Sequence, residues 1–240
     1  MNPKFVAYLV RYYGLSVLTR GPSYIIASLA MPLTLLFIVS ILSGGRLIQY
    51  AIIGGFLSLI ASNALSSAGD SAYWRLQLRM QDLLVTTRVT PTDYMMGLTL
   101  SYLVGSSPGI AIYTVLGVLY GLFNPANAVL FAGIIALVVV STSSIAFIAA
   151  GLVKHIRNIW GIAGILSVVM TLLPPTFYPY GILPTTALYV LSVSPVTPAA
   201  VLSQGLFGLG PVDYYMVYIL IAETLVYFAV ARFLTVWREH

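Results

Sequence analysis

The chain has 240 residues, 60% of them hydrophobic and 7% charged, with a net charge of +5. A water-soluble domain carries about 25% charged residues, so this composition excludes an ordinary soluble body and points to an all-α membrane protein. The absence of cysteine excludes disulfides, thiolate metal sites and lipidated thiols. The two histidines, His155 and His240, stand far apart with no ligand-like neighbours, so metal chemistry has almost no material.

Residues 1–22 come first. Pro3 to Thr19 reads as a helix, with Lys4, Tyr8, Arg11 and Leu15 on one face, before Gly21-Pro22 breaks the chain. A segment this rich in Phe, Tyr, Leu and Val, with basic residues on one side, is expected to lie along the inner leaflet as an interfacial helix in contact with lipid.

A bilayer core needs about 20 apolar residues per helix. Six stretches qualify: Tyr24–Leu42, Leu47–Ala68, Met95–Leu122, Ala126–Val153, Ile159–Leu173 and Tyr214–Phe233. Tight turns join the first to the second, at Ser43–Arg46, and the third to the fourth, at Phe123–Pro125. Gly105-x-x-x-Gly109 and Gly117-x-x-x-Gly121 in the third stretch permit close helix approach, as do Ser141, Ser143, Ser144, Ala146 and Ala150 in the fourth.

With the N-terminus in the cytoplasm, ten of the eleven Lys and Arg residues fall inside, and Arg46 alone falls outside. Cytoplasmic loops carry such an excess of Lys and Arg. The basic residues are therefore explained by membrane orientation, and no nucleic-acid partner is expected. Trp74, Trp160 and Trp237 fall near inner span ends, and Tyr50, Tyr120, Tyr178, Tyr214 and Tyr215 near outer ones. Both termini are expected in the cytoplasm of a multi-pass protein of the cell membrane.

The loop 70–94 is the most informative polar segment. Tyr73, Leu76, Met80, Leu83 and Leu84 recur at helical spacing, with Arg75, Arg79, Asp82 and Thr86 opposite and Asp70 a candidate cap. Thr90-Pro91 then suits the start of a new helix that runs into the third span. The pattern is helix, break, helix. It fits a docking element for a cytoplasmic partner about as well as an inner-surface helix resting on lipid phosphates.

From Asn158 to Val212 there is no charge, and seven of the thirteen prolines fall there. Proline breaks helices. The fifth span is expected to end near Pro174, followed over 174–212 by two short apolar segments, Thr185–Val193 and Pro198–Leu206, as an outer re-entrant hairpin. Making Ile182–Phe207 a seventh span would put Arg232 and Arg238 outside, against the charge rule. In the last span Glu223 is the only deeply placed charge, and such a residue faces a bundle interior or a wet cavity. It is either a substrate contact or proton site, or a helix–helix contact. Asn63 in the second span poses the same choice, with a packing role favoured.

The run Leu83-Leu84-Val85-Thr86-Thr87-Arg88-Val89-Thr90-Pro91-Thr92-Asp93-Tyr94-Met95-Met96-Gly97 resembles the inner-loop signature of type-2 ABC exporter permeases, the drug and polysaccharide export class. Pro175-Thr176-Phe177-Tyr178-Pro179, Leu183-Pro184 and Ser194-Pro195-Val196-Thr197-Pro198 resemble that family's proline series after the fifth span. The likeness covers nearly the whole chain. The acidic residue and Gly-Thr pair that often open the inner-loop signature are missing, Gln204 stands near where many members carry Arg, and Ser194 replaces the usual Asn.

The resemblance implies a homodimer, or a pair with a paralogous permease, of six-span subunits moving a hydrophobic or amphipathic substrate outward by alternating access. It implies a separate ABC ATPase subunit that binds ATP and Mg, so that this subunit needs no cofactor. The expected ATPase-docking residues are Arg75, Arg79, Asp82, Leu83, Arg88, Thr90, Pro91, Lys154 and Arg157. Glu223, Asn63, Phe177, Tyr178 and Pro179 are expected on the substrate path or gate. No G-x-x-x-x-G-K-[ST] phosphate loop occurs, and Lys4 and Lys154 are the only lysines, which agrees with a permease that performs no catalysis itself. The alternative is a proton- or ion-coupled secondary transporter that uses Glu223.

Overall fold

The computed structural model describes residues 2–234, with the side chains of Arg20, Pro22, Tyr24, Gln81, Asp82 and Val85 outside the description. Trp237, Arg238 and His240 also lie outside the described residues. The described residues form helices and turns without strands.

The N-terminal rod consists of α1 (Pro3–Leu9), a π-helical turn (Val10–Gly14) and α2 (Leu15–Arg20). Long apolar helices follow as α3 (Pro22–Leu42) and α4 (Ile48–Leu76), and a short α5 (Met80–Val85) leads to α6 (Pro91–Gly105) and α7 (Ser107–Leu119). The remaining helices are α8 (Pro125–Leu152), α9 (Ile156–Leu172), α10 (Thr185–Leu191), α11 (Val196–Leu206) and α12 (Tyr215–Leu234).

Four helices, α3, α4, α8 and α12, are long and apolar enough to cross a bilayer. The pair α6–α7 adds a fifth if its two halves form one span, although they meet at 55°. The third apolar stretch is thus broken, and the reason is local. Pro108 has no N–H to donate to Val104, and its ring crowds that carbonyl. Helix α9, with 17 residues, falls just short of the usual length.

α4 is the axis of the fold. From Ala51 to Ala72 nearly every residue is buried, against α3, α7, α8, α9 and α11. The main apolar core gathers Ile53, Leu57 and Ile60 of α4 with Tyr113, Phe131, Val139 and Val201. A second cluster of small residues, Ala68 and Ala72 with Ala146, Ala150 and Ala163, lets α4, α8 and α9 approach closely. Lipid tails are as apolar as leucine, so small residues at contacts favour helix association. The helices at the rim present their apolar side chains outward, as at Leu42, Leu225 and Phe233.

The glycines of the two Gly-x-x-x-Gly patterns act singly and not as paired seams, with the close helix approach expected from spacing found at Gly109. The bend between α6 and α7 separates Gly105, which faces Val17, from Gly109, which faces Leu59 and Leu29. Gly117 faces Phe123, whereas Gly121 lies in a turn with φ +69°.

The N-terminal rod packs lengthwise along α6. Leu9 meets Gly97, Gly14 meets Ser101, and Val17 meets Gly105. A Cβ on Gly14 would stand 2.9 Å from the Ser101 carbonyl oxygen, so only glycine permits this approach. The Asn2 backbone N–H donates to Asp93 Oδ1 at 2.8 Å and ties down the start of the rod. Lys4, Tyr8, Arg11 and Leu15 remain exposed on the far side.

Candidate functional site: an exposed loop, a stapled turn and a polar clip

α4 is about 43 Å long at 1.5 Å per residue, and its two ends differ. At one end, Arg75 donates through Nη2 to the Ala150 carbonyl at 2.9 Å and to the Val153 carbonyl. Those carbonyls lie at the C-terminus of α8, where the last oxygens lack helical partners and a cation is favoured. Leu234, at the end of α12, lies against Gly151 here. At the opposite end, Gln49 donates to the Tyr120 carbonyl at 3.3 Å and Tyr50 donates to the Leu209 carbonyl at 2.7 Å. The basic residues Arg75, Arg79, Arg88, Lys154, Arg157 and Arg232 therefore gather at the first end, and Arg46 stands at the other.

The loop between α4 and α6 differs from the single amphipathic helix expected from Asp70 onward. α4 itself runs through Leu76, so Asp70 is an internal residue and not a cap. Arg79 interrupts the helix by adopting φ 46°, the only positive φ outside glycine among the described residues. α5 then makes a turn and a half before Thr90 opens α6. Thr90 Oγ1 accepts the Asp93 N–H at 3.3 Å, and Asp93 Oδ2 accepts the Thr90 N–H at 3.0 Å. This reciprocal box satisfies two amides at the helix start, on the residues that the sequence marks for a cap.

Of the residues expected to dock an ATPase, Arg79, Leu83, Arg88, Thr90, Lys154 and Arg157 are exposed, and Pro91 is half-buried. Leu83 is 68% exposed and Leu78 50%, so an apolar surface stands beside the arginines. The Asp82 side chain lies outside the description. Arg75 is engaged with the α8 terminus. It connects the two basic turns, 77–90 and 153–158, in one assembly.

The proline-rich turn is built differently. Phe177 is buried, and Tyr178 and Pro179 are half-buried, with the Tyr178 hydroxyl donating to the Leu173 carbonyl at 3.0 Å. The buried amide of Gln204, on α11, holds the segment. Its Nε2 donates to the carbonyls of Pro175 at 2.6 Å and Tyr178 at 3.0 Å, and its Oε1 accepts the Tyr180 N–H at 3.0 Å. Ser194 Oγ donates to the Met170 carbonyl at 2.7 Å, and Thr197 Oγ1 to that of Leu191 at 2.6 Å. On the α4 side a Cβ at Gly54 would stand 2.3 Å from the Thr176 carbonyl oxygen. Irregular backbone is tolerated at membrane depth where protein covers it, and here α4 and α11 cover it. The signal available in sequence was one Gln in an otherwise apolar run.

Glu223 and Asn63 lie apart from this turn. Asn63 Nδ2 donates to the Leu59 carbonyl of its own helix at 3.0 Å. Glu223 Oε2 is buried with no hydrogen-bond partner among the described residues. Neither residue lines the cavities that follow. One cavity of about 340 Å³ lies between α6, α8 and α12, with Met95, Leu103, Val139, Ser143, Phe147 and Phe228 in its wall.

A second cavity, of about 520 Å³, opens between the N-terminal rod, α4, α6 and α9. In its wall the hydroxyls of Tyr13 and Tyr102 both donate to Asp70 Oδ2. Tyr13 also meets Trp74 edge to face at 5.2 Å. Sequence reasoning missed this clip because its members are 32 and 57 positions apart.

The sequence profile of the ABC-2 type transporter family matches residues 9–208. A search among curated proteins finds no significant match. The matched span runs from the N-terminal rod through α11 and so contains the exposed basic loop, the stapled proline turn and the helices that join them. The chain belongs to the ABC-2 type transporter family, as a multi-pass transmembrane subunit that is not itself catalytic, the ATPase of such systems lying in a partner chain.

Proposed function

We propose that this subunit is the permease of an ATP-driven exporter in the cell membrane, with six spans, α6–α7 and α9 each counted as one, and both termini in the cytoplasm. Residues 1–22 lie at the inner membrane surface, 70–94 form the inner coupling loop, and 174–212 form an outer re-entrant hairpin. Two such subunits, identical or paralogous, pair in the lipid bilayer around a path for a hydrophobic or amphipathic substrate.

The observation that carries this reading is the form of the loop 77–90. It exposes Arg79, Leu83 and Arg88 while Leu84 and Val89 pack inward, and it joins the most buried helix to α6 through a capping box. A partner that grips it moves α4 directly, because α4 continues into the loop without a hinge until Gln77. Lys154 and Arg157 extend the surface, and Arg75 couples the two turns. ATP, with Mg, is bound and hydrolysed by the partner. The resulting motion reorients the spans and releases substrate outward along a path past Glu223, Asn63 and the gate formed by Phe177, Tyr178 and Pro179.

Co-purification and ATPase assay test the reading. A nucleotide-binding subunit is expected to accompany the tagged chain, and the permease should stimulate its ATPase. Replacing Arg79 or Asp82 with Ala should abolish stimulation while leaving the permease folded. Undiminished stimulation by both variants would remove the docking role from this loop.

A further inference from the structure

The 520 Å³ cavity has the size of small-molecule sites, about 300–1,000 Å³, and their usual make-up of an apolar wall with a few convergent polar groups. Tyr13, Ser66, Asp70, Ser101, Tyr102 and Trp160 supply the polar and aromatic part of its wall. Among the described residues, Asp70 is the sole charged one in the wall. Both tyrosine hydroxyls converge on Oδ2 of the carboxylate, and Oδ1 receives no hydrogen bond from the described residues. The clip therefore orients the carboxylate and leaves one oxygen for another partner. Three aromatic rings, those of Tyr13, Tyr102 and Trp160, stand in the same wall, and aromatic faces attract cations, most strongly where water is excluded.

A carboxylate with one oxygen left unengaged by the described residues, set among aromatic rings in a largely apolar cavity, has a specific complement. An anion is repelled by Asp70. A small hydrated metal ion would have to shed its water for one carboxylate and few other oxygens. A neutral apolar molecule gains nothing from the charge. We infer that the cavity between the N-terminal rod, α4, α6 and α9 binds a lipophilic onium cation, an ammonium or phosphonium with apolar substituents, through Asp70 and the rings of Tyr13, Tyr102 and Trp160. Binding does not depend on the permease reading; only the further step of calling this cation the exporter's cargo rests on it. The apolar cavity between α6, α8 and α12 has no charged residue among the described residues of its wall and provides an internal contrast, since it gives no reason to prefer a cation over an anion of the same shape.

The test uses the purified full chain in lipid nanodiscs and radiolabelled tetraphenylphosphonium, with empty nanodiscs subtracted. Saturable binding is expected, and an excess of the isosteric anion tetraphenylborate should not compete. Asp70→Asn should weaken binding at least tenfold. Ser66→Leu fills the cavity and leaves the Tyr13–Asp70–Tyr102 clip in place, and it should weaken binding to a similar degree. Absence of saturable binding by the wild-type chain, equal binding of the anion, or unchanged affinity in either folded variant would overturn the inference. Should Asp70→Asn fail to fold because it loses the clip, Ser66→Leu decides alone. ATPase co-purification is a separate measurement, so each reading can fail without the other.

Discussion

The loop after α4 and the turn after α9 both interrupt helices, and they solve the same chemical problem in opposite ways. In the loop 77–90, helical breaks are local. Arg79 adopts a left-handed conformation, threonine hydroxyls bond carbonyls three residues back, and the Thr90–Asp93 box closes the segment. Its arginines, with Leu78 and Leu83, are left outside, whereas Leu84 and Val89 pack inward. In 174–195 the breaks are made by prolines, and the stray carbonyls are taken up by residues distant in sequence: Gln204 for Pro175 and Tyr178, and Ser194 for Met170. A loop in water leaves its backbone groups to solvent, whereas one covered by helices must find protein partners. The comparison teaches that charge content in these two segments follows their solvent, and that the uncharged one is the more rigidly specified.

The largest effect should come from removing the staple. Gln204→Leu leaves two carbonyls and one N–H unpaired in a buried place, and each such group costs about 1–3 kcal/mol. A loss of roughly 3 kcal/mol or more in thermal stability is expected, read as a strong fall in Tm or failure to purify. A fully stable Gln204→Leu would show that the turn is wetter than its packing indicates. Gly54→Ala comes next. The added Cβ meets backbone, not a movable side-chain tip, and overpacking of this kind costs about 1–3 kcal/mol.

On the loop side the effects should be smaller. Arg75→Met removes donors from the α8 terminus, and because the side chain is half-buried the expected loss is about 1–2 kcal/mol. Thr90→Ala deletes a helix cap worth about 1 kcal/mol, with ATPase stimulation falling as the entry to α6 frays. Arg79→Gly should slightly raise Tm, by relief of a left-handed conformation that disfavours a side chain by about 1 kcal/mol, while lowering ATPase stimulation through loss of the guanidinium. A gain in stability with a loss of coupling would separate structure from docking at one residue. A fall in both would place Arg79 in the fold instead.

Much of this architecture was legible in the sequence because it is written locally. Apolar runs place the long helices, Thr90-Pro91 marks the start of α6, and the serines and alanines of α8 mark its buried face. What stayed hidden depends on contacts between remote segments. Asp70 looked like a helix cap until Tyr13 and Tyr102 were seen to hold it. Arg75 was expected on the docking surface, and Gln204 stood where many family members carry Arg, and neither reading gave the carbonyl partners that the fold supplies. Hydropathy could not place the bend at Ser106 either, since both halves are apolar and only Pro108 records the break. The clip beside the onium cavity belongs to the same hidden class.

The central claim is that the two contrasted segments face opposite sides of the membrane, the loop toward the cytoplasmic ATPase and the proline turn toward the exit. The chain has no native cysteine, so single-cysteine variants report cleanly. Leu83→Cys and Tyr189→Cys, both at exposed positions, can be treated in intact cells with a membrane-impermeant maleimide. The account predicts labelling at position 189 in intact cells and at position 83 only after permeabilisation. Labelling at position 83 from outside an intact cell would contradict it.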